Sequence, residues 1–338
     1  MLKHFHIRNT LDDIIRQRKG EIKLGQRFRL LEHHSLESFK KIKNHKLRFA
    51  LIGIPESIGI LANHGAGGAE QAWQEFLVQL VNQQSNRFLE GSEVLCLGQV
   101  ETRDLQQRAA ELNPKDGQFF TKLRSYCQEL DQRVMPVIEA VINAGLVPIV
   151  VGGGHNNAFP ILKGASRGLG LANGMGCLNL DAHADFRPLE GRHSGNGFSY
   201  AFYQGFLQRY FVVGLNEQAN SEAMLKNMDL EDRVGYQFYK PHSNPGVNEA
   251  LQFLSGEGLP IGVEIDLDAL AFMPASAFSV SGYTLDQAIT FIRKVNQQVR
   301  PVYLHLAEGQ VKDTERDAVL IGKTLCSLAL EFIKTCPE

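Results

Sequence analysis

No uninterrupted apolar run in this chain approaches the roughly 20 residues that a membrane span needs. Met1 leads into polar sequence, Lys3-His4-Phe5-His6, without the apolar segment of a signal peptide, so neither export nor a membrane is expected. Excess positive charge is missing too: 35 Lys and Arg against 37 Asp and Glu leave a formal charge of −2. That balance offers no electrostatic footprint for nucleic acid. The five cysteines (Cys96, Cys127, Cys177, Cys326, Cys336) are odd in number and lack Cys-x-x-Cys spacing. Reduced thiols in a cytoplasmic protein are the simplest reading.

What is present is enough for a large core: 338 residues, 43% of them hydrophobic. Residues 1–45 are charged and lack a strong apolar stripe, which reads as an appended N-terminal helical arm with His33 and His34 solvated. Over residues 46–338 short apolar runs alternate with stretches of helical length and period, and a single domain is expected. The runs are 49–54, 94–97, 147–151, 177–180, 210–214, 260–265 and 302–306, and the amphipathic stretches include 118–143 and 284–298. This alternation predicts an α/β fold whose mostly parallel sheet has helices on both faces. Trp73 and Cys177 read as packing residues, and His305 as a core histidine.

Polar residues gather where the runs end. Gly152-Gly153-Gly154-His155, Asp181-Ala182-His183-Ala184-Asp185, Asp266-Leu267-Asp268 and Glu308 each follow one of them. In open α/β sheets, ligands bind beyond the carboxyl ends of the strands. Asp181, His183 and Asp185 stand at alternate positions, so in extended chain they share a face. Carboxylate with imidazole suits Mn²⁺ or Zn²⁺ better than Ca²⁺. The six candidate ligands, His155, Asp181, His183, Asp185, Asp266 and Asp268, are too many for one closed tetrahedral site. They suit two cations about 3.5–4 Å apart that share carboxylates and a water, which would become the nucleophile. Singly the signals are weaker. Asp266-x-Asp268 also fits an exposed loop or cap, and the glycines before His155 also fit an anion-cradling turn, although no P-loop or dinucleotide fingerprint is completed.

These motifs resemble the ureohydrolase superfamily of arginases, agmatinases and formiminoglutamases, from roughly Arg48 to Phe332. Ser194-Gly195-Asn196, Glu264-Ile265-Asp266-Leu267-Asp268-Ala269-Leu270 and Leu306-Ala307-Glu308 complete the likeness. The resemblance implies a three-layer α/β/α fold with about eight strands, two Mn²⁺ per subunit and a homo-oligomer, trimer or hexamer. It also implies that His155, Asp181, Asp185 and Asp266 hold one metal. Asp181, His183, Asp266 and Asp268 would hold the other, with Asp181 and Asp266 bridging.

Departures choose within the superfamily. Arginases place an aspartate before the first histidine and a serine after it, where this chain has Gly154 and Asn156. Phe198 stands where arginases have a proton-shuttling histidine, leaving His193 and His64 as candidates. Arg187 replaces a neutral amide, and a guanidinium grips a carboxylate with two bonds. Arg187 and Arg192 therefore favour an acidic substrate, as in formiminoglutamases, which also share the Asp-Ala-His-x-Asp-x-Arg pattern. The segments Gly53-Ile54-Pro55-Glu56 and 63–69 look like that branch too. The expected reaction is hydrolysis of N-formimino-L-glutamate to L-glutamate and formamide. Asp268 would relay a proton, Glu308 would pair with the formimino nitrogens, and Arg187, Arg192, Ser194 and Asn196 would hold carboxylates. Alternatives are another ureohydrolase (agmatinase, arginase or guanidino-acid hydrolase), a non-catalytic metal-binding homologue, or a metal-free scaffold.

Overall fold

The computed structural model describes residues 5–6, 11–30, 46–312 and 314–337. Among these described residues ten strands form one sheet: β1 Phe5–His6, β2 Arg29–Leu30, β3 Phe49–Gly53, β4 Val94–Val100, β5 Val147–Val151, β6 Met175–Leu180, β7 Leu207–Leu215, β8 Val234–Phe238, β9 Ile261–Asp266 and β10 Leu304–Ala307. Their spatial order is β1-β4-β3-β5-β10-β9-β6-β7-β8, with β2 also against β4. Every pairing is parallel except β1 with β4. The count exceeds the roughly eight expected because β1 and β2, of two residues each, add to the sheet beside β4.

Parallel strands buried on both faces read as continuous apolar runs, and β3 and β5 are buried at every position. The pleat sends alternate residues to opposite faces. Phe49, Leu51, Ile149 and Val151 join one core with Trp73, Leu251, Phe291 and Phe332. Ala50, Ile52 and Val150 join the other with Leu130, Ile138, Ile161 and Phe202. The first core is covered by helices α1 Ala72–Val81, α2 Val247–Leu254, α3 Leu285–Asn296 and α4 Glu315–Thr335. The second is covered by helices Phe119–Asn143, Ala158–Gly168 and Gly197–Tyr203. Three layers result. The expected helices over 118–143 and 284–298 each start one residue later, the first ending at Asn143 as expected and the second two residues early; Thr284 caps α3 by accepting from Gln287 N.

Of the arm expected over residues 1–45, the described part holds one four-residue helix, Leu11–Ile14, and a single helical turn, Leu24–Gln26. Leu11, Ile15, Leu24 and Phe28 are buried in the core that α1 covers. His33 and His34 lie outside the described residues. All five cysteines are free and buried. Among the described residues no helix is long and apolar enough to cross a membrane.

Candidate metal centre

β5, β10, β9 and β6 are consecutive neighbours in the sheet, so the segments leaving their carboxyl ends converge. After β5 the chain turns through Gly152 and Gly153, at φ 90° and 77°, a region that favours glycine. A Cβ on Gly153 would meet Asn157 Nδ2 at 2.5 Å and Glu56 Oε1 at 2.8 Å. Buried Glu56 holds this turn. Its Oε1 accepts from Gly154 N at 2.9 Å, Asn157 Nδ2 at 2.7 Å and Asn156 Nδ2 at 3.2 Å. Its Oε2 accepts from Ile58 N and Gly59 N. The His155 amide donates to Glu308 Oε1 at 2.6 Å, which ties the β5 turn to the end of β10.

His155 is fully buried, and its Nδ1 faces three carboxylates: Asp266 Oδ2 at 3.0 Å, Asp181 Oδ2 at 3.1 Å and Asp185 Oδ2 at 3.2 Å. A second focus joins His183 Nδ1 to Asp268 Oδ2 at 2.9 Å and to Asp181 Oδ1 at 3.8 Å. Asp181 thus offers one oxygen to each focus. Its orientation is fixed by Asn179 Nδ2, donating to Oδ2 at 2.9 Å, and by the His183 amide, donating to Oδ1 at 2.7 Å. Asp266, expected to bridge, faces His155 through Oδ2, while its Oδ1 accepts the amide of Asp268, a member of the second focus, at 2.8 Å.

Burial disfavours the charged form of several of these carboxyls. Burial pushes the Asp266 carboxyl well up, and Asp268 and Asp181 add to the effect. Burial likewise raises Asp181 and Asp185. Glu308 is pushed up to about 8, chiefly by burial. Beside Asp268, His183 is held up to about 11. His155 Nδ1 makes no hydrogen bond despite its three neighbours, and Asp268 Oδ1 and Glu308 Oε2 are also buried without a partner. Hard oxygens and imidazoles converging with orphaned lone pairs fit divalent cations of the first transition row.

Beneath the first focus lies a part that the motifs alone did not reveal. Glu264 Oε2 sits 3.4 Å from His155 Nε2 and accepts from His305 Nδ1 at 2.5 Å, while Tyr303 OH donates to Oε1 at 2.8 Å. The available signal was a carboxylate two positions before Asp266 in an apolar strand, hence on the same face. His305, read as a core histidine, is buried and partnered by this carboxylate.

A pocket of about 240 Å³ opens over the two foci, lined by His183, Asp185, Asp266, Asp268 and Glu308 together with Asn63, His64, Arg187 and Ser194. Arg187 is exposed there, and no carboxylate pairs with it among the described residues. Ser194 Oγ accepts from Asn63 Nδ2 at 3.2 Å. The other two expected substrate contacts are corrected. Arg192 is 1% exposed and points away from the pocket lining: its Nε donates to Asp131 at 2.9 Å, Nη1 to Asn196 Oδ1 at 2.8 Å and Nη2 to Asn156 O at 2.6 Å. Asn196 is buried and committed to Arg192, the His193 amide and the Gly191 carbonyl. Phe198 packs edge-on to His155 at 5.0 Å and stacks on Tyr210 at 4.4 Å. His193 is buried outside the lining, with Nδ1 accepting from the Gly195 amide.

A model of the family described as "Arginase family" matches residues 47–328. A formimidoylglutamase of Streptococcus pyogenes serotype M3 is 26% identical over 241 residues, covering 68% of this chain and 67% of its own. Two solved structures share the fold. Bacillus subtilis formimidoylglutamase has a TM-score of 0.71 at 17% identity, over 96% of this chain and 95% of that one. Trypanosoma cruzi formiminoglutamase, crystallised with Mn²⁺, has a TM-score of 0.69 at 17% identity, over 94% of this chain and 100% of that one.

Proposed function

The chain belongs to the arginase family, and from that membership we propose that it is a binuclear manganese hydrolase of N-formimino-L-glutamate. Water cleaves the bond between the formimino carbon and the amino nitrogen, giving formamide and L-glutamate. His155, Asp181, Asp185 and Asp266 would hold one ion, and Asp181, His183, Asp266 and Asp268 the other. The Mn²⁺ in the Trypanosoma cruzi relative supports that choice of ion. Bound there, two divalent cations supply a water deprotonated near neutral pH and stabilise developing negative charge.

The chain's own residues do the rest. Glu308, at the floor of the pocket with Oε2 unpartnered, accepts from the formimino nitrogens and orients the carbon. Asp268, whose Oδ1 is unpartnered, carries a proton to the leaving amine. Arg187 holds a substrate carboxylate with two parallel bonds.

The observation that carries the choice of substrate is Arg187, a cation at the mouth of an acidic pocket with no carboxylate of its own among the described residues. A guanidino cation such as arginine or agmatine would meet repulsion there. Mn²⁺-loaded protein should release formamide from N-formimino-L-glutamate and leave arginine and agmatine untouched. Turnover of a guanidino compound alone would discard this substrate. Two ions bound with no turnover of any of these compounds would discard catalysis on them.

A further inference from the structure

With Arg192 and Asn196 committed to internal bonds, the pocket has fewer partners for an acidic substrate than the sequence suggested. N-formimino-L-glutamate carries two carboxylates, and one guanidinium grips one of them. Among the described lining residues, the cation-forming side chains are Arg187, His64 and His183, and His183 belongs to the second ligand focus. His64 is what remains.

Three observations bear on His64. Its backbone sits at φ 64°, a region uncommon for residues with a side chain, and such strain gathers at functional sites. Asp185 and Glu308, at φ 47° and 65°, line the same pocket. Its ring packs against Phe120 at a tilt of 40° with centroids 3.9 Å apart, which restricts the ring, and neither ring nitrogen has a hydrogen-bond partner among the described residues. The adjacent Asn63 bonds Ser194, whose neighbour Gly195 accepts the Arg187 amide at 3.0 Å, so this loop is tied to the segment that carries Arg187.

We infer that His64 is a specificity-determining residue that donates an N–H to the second carboxylate of a dicarboxylic amidine while Arg187 holds the first. An imidazole can donate in either protonation state. The inference rests on the substrate reading above and gives it its dicarboxylate preference.

The test compares three substrates: N-formimino-L-glutamate and two analogues lacking one carboxylate each, N-formimino-4-aminobutyrate and N-formimino-L-2-aminobutyrate. His64→Gly should raise KM for the diacid about ten- to hundredfold with kcat nearly unchanged. On one analogue it should have no effect, and on that analogue Arg187→Ala should still raise KM; on the other analogue the pattern should reverse. Glycine adopts this backbone freely, so the variant should melt no lower than the wild type. His64→Asn, which keeps an N–H donor and tolerates φ near 60°, should recover part of the loss. Equal KM changes on all three compounds, no change on the diacid, or a loss confined to kcat would each overturn the assignment. Absence of wild-type turnover on the diacid would be seen before any variant is made, and would fell the substrate reading and the second carboxylate with it.

Discussion

Arg192 uses all three of its guanidinium nitrogens inside the protein, on Asp131, Asn196 and the Asn156 carbonyl, with Phe159 and Tyr200 against its plane at 4.7 and 4.8 Å. Removing one partner of a buried ion pair leaves the other charge without compensation, typically about 3–5 kcal/mol. Arg192→Ala should therefore lose stability of that order in urea unfolding, while the surviving folded enzyme keeps its KM. A large KM change without destabilisation would return Arg192 to the substrate. His193 allows a pH prediction. Burial pushes its imidazole down to about 4, so the folded ring stays neutral where the unfolded one, near 6.5, takes up a proton. Its contribution to stability is intact above pH 6.5 and is lost as pH falls towards 4. Tm measured across that window should fall less steeply in His193→Gln than in the wild type; equal slopes would mean that His193 does not titrate this way.

At the scale of elements, the register of β9 against β10 sets Glu264 beside His305, and the pleat puts Glu264 on the face of Asp266, under His155. A carboxylate behind a metal-binding histidine orients the ring, and its loss commonly costs 10–100-fold in metal affinity. Glu264→Gln should lose the ion at the His155 focus and keep the one at the His183 focus, read as metal retained per chain after dialysis. Equal retention at both would remove Glu264 from this role. That the candidate ligands would gather at one sheet edge was legible in the sequence because a run of apolar residues ending in Asp-x-His-x-Asp fixes both the strand end and the alternation. Arg187 and Arg192 were not separable in the same way. Between them the chain passes through 188–191 without regular structure, so their spacing says nothing about direction. β8 was likewise missed: its pattern is one buried residue followed by four half-buried ones, an edge strand without an apolar run.

For the whole molecule, the centre concentrates Asp181, Asp185, Asp266, Asp268 and Glu308 beyond four adjacent strands, and burial opposes ionisation of Asp181, Asp185, Asp266 and Glu308. Ions that bind the folded chain alone should stabilise it by mass action, by about 2.7 kcal/mol at a hundred times Kd. A rise in Tm on the order of 5 °C with Mn²⁺, reversed by a chelator, is expected for a domain of this size. An unchanged Tm across Mn²⁺ titration would argue against a site made only by the folded state. The alternation of runs and helices foretold the parallel sheet and its two cores. The burial of Leu11, Ile15, Leu24 and Phe28 was hidden, because four apolar residues spread over a charged segment make no periodic stripe.

The order of the strands also dictates when the centre can exist. β5 and β6 are made early, yet β9 and β10 stand between them. At about 4.8 Å per strand, that leaves a gap of roughly 14 Å between β5 and β6, to be filled last. More than 100 residues separate Asp181 from Glu308 in the chain, so the two strands that set the spacing between His155 and Asp181 are the last two made. A chain cut before β9 should therefore retain no Mn²⁺ after dialysis, whereas retention equal to that of the whole chain would show that the inner strands do not set the spacing of the first focus.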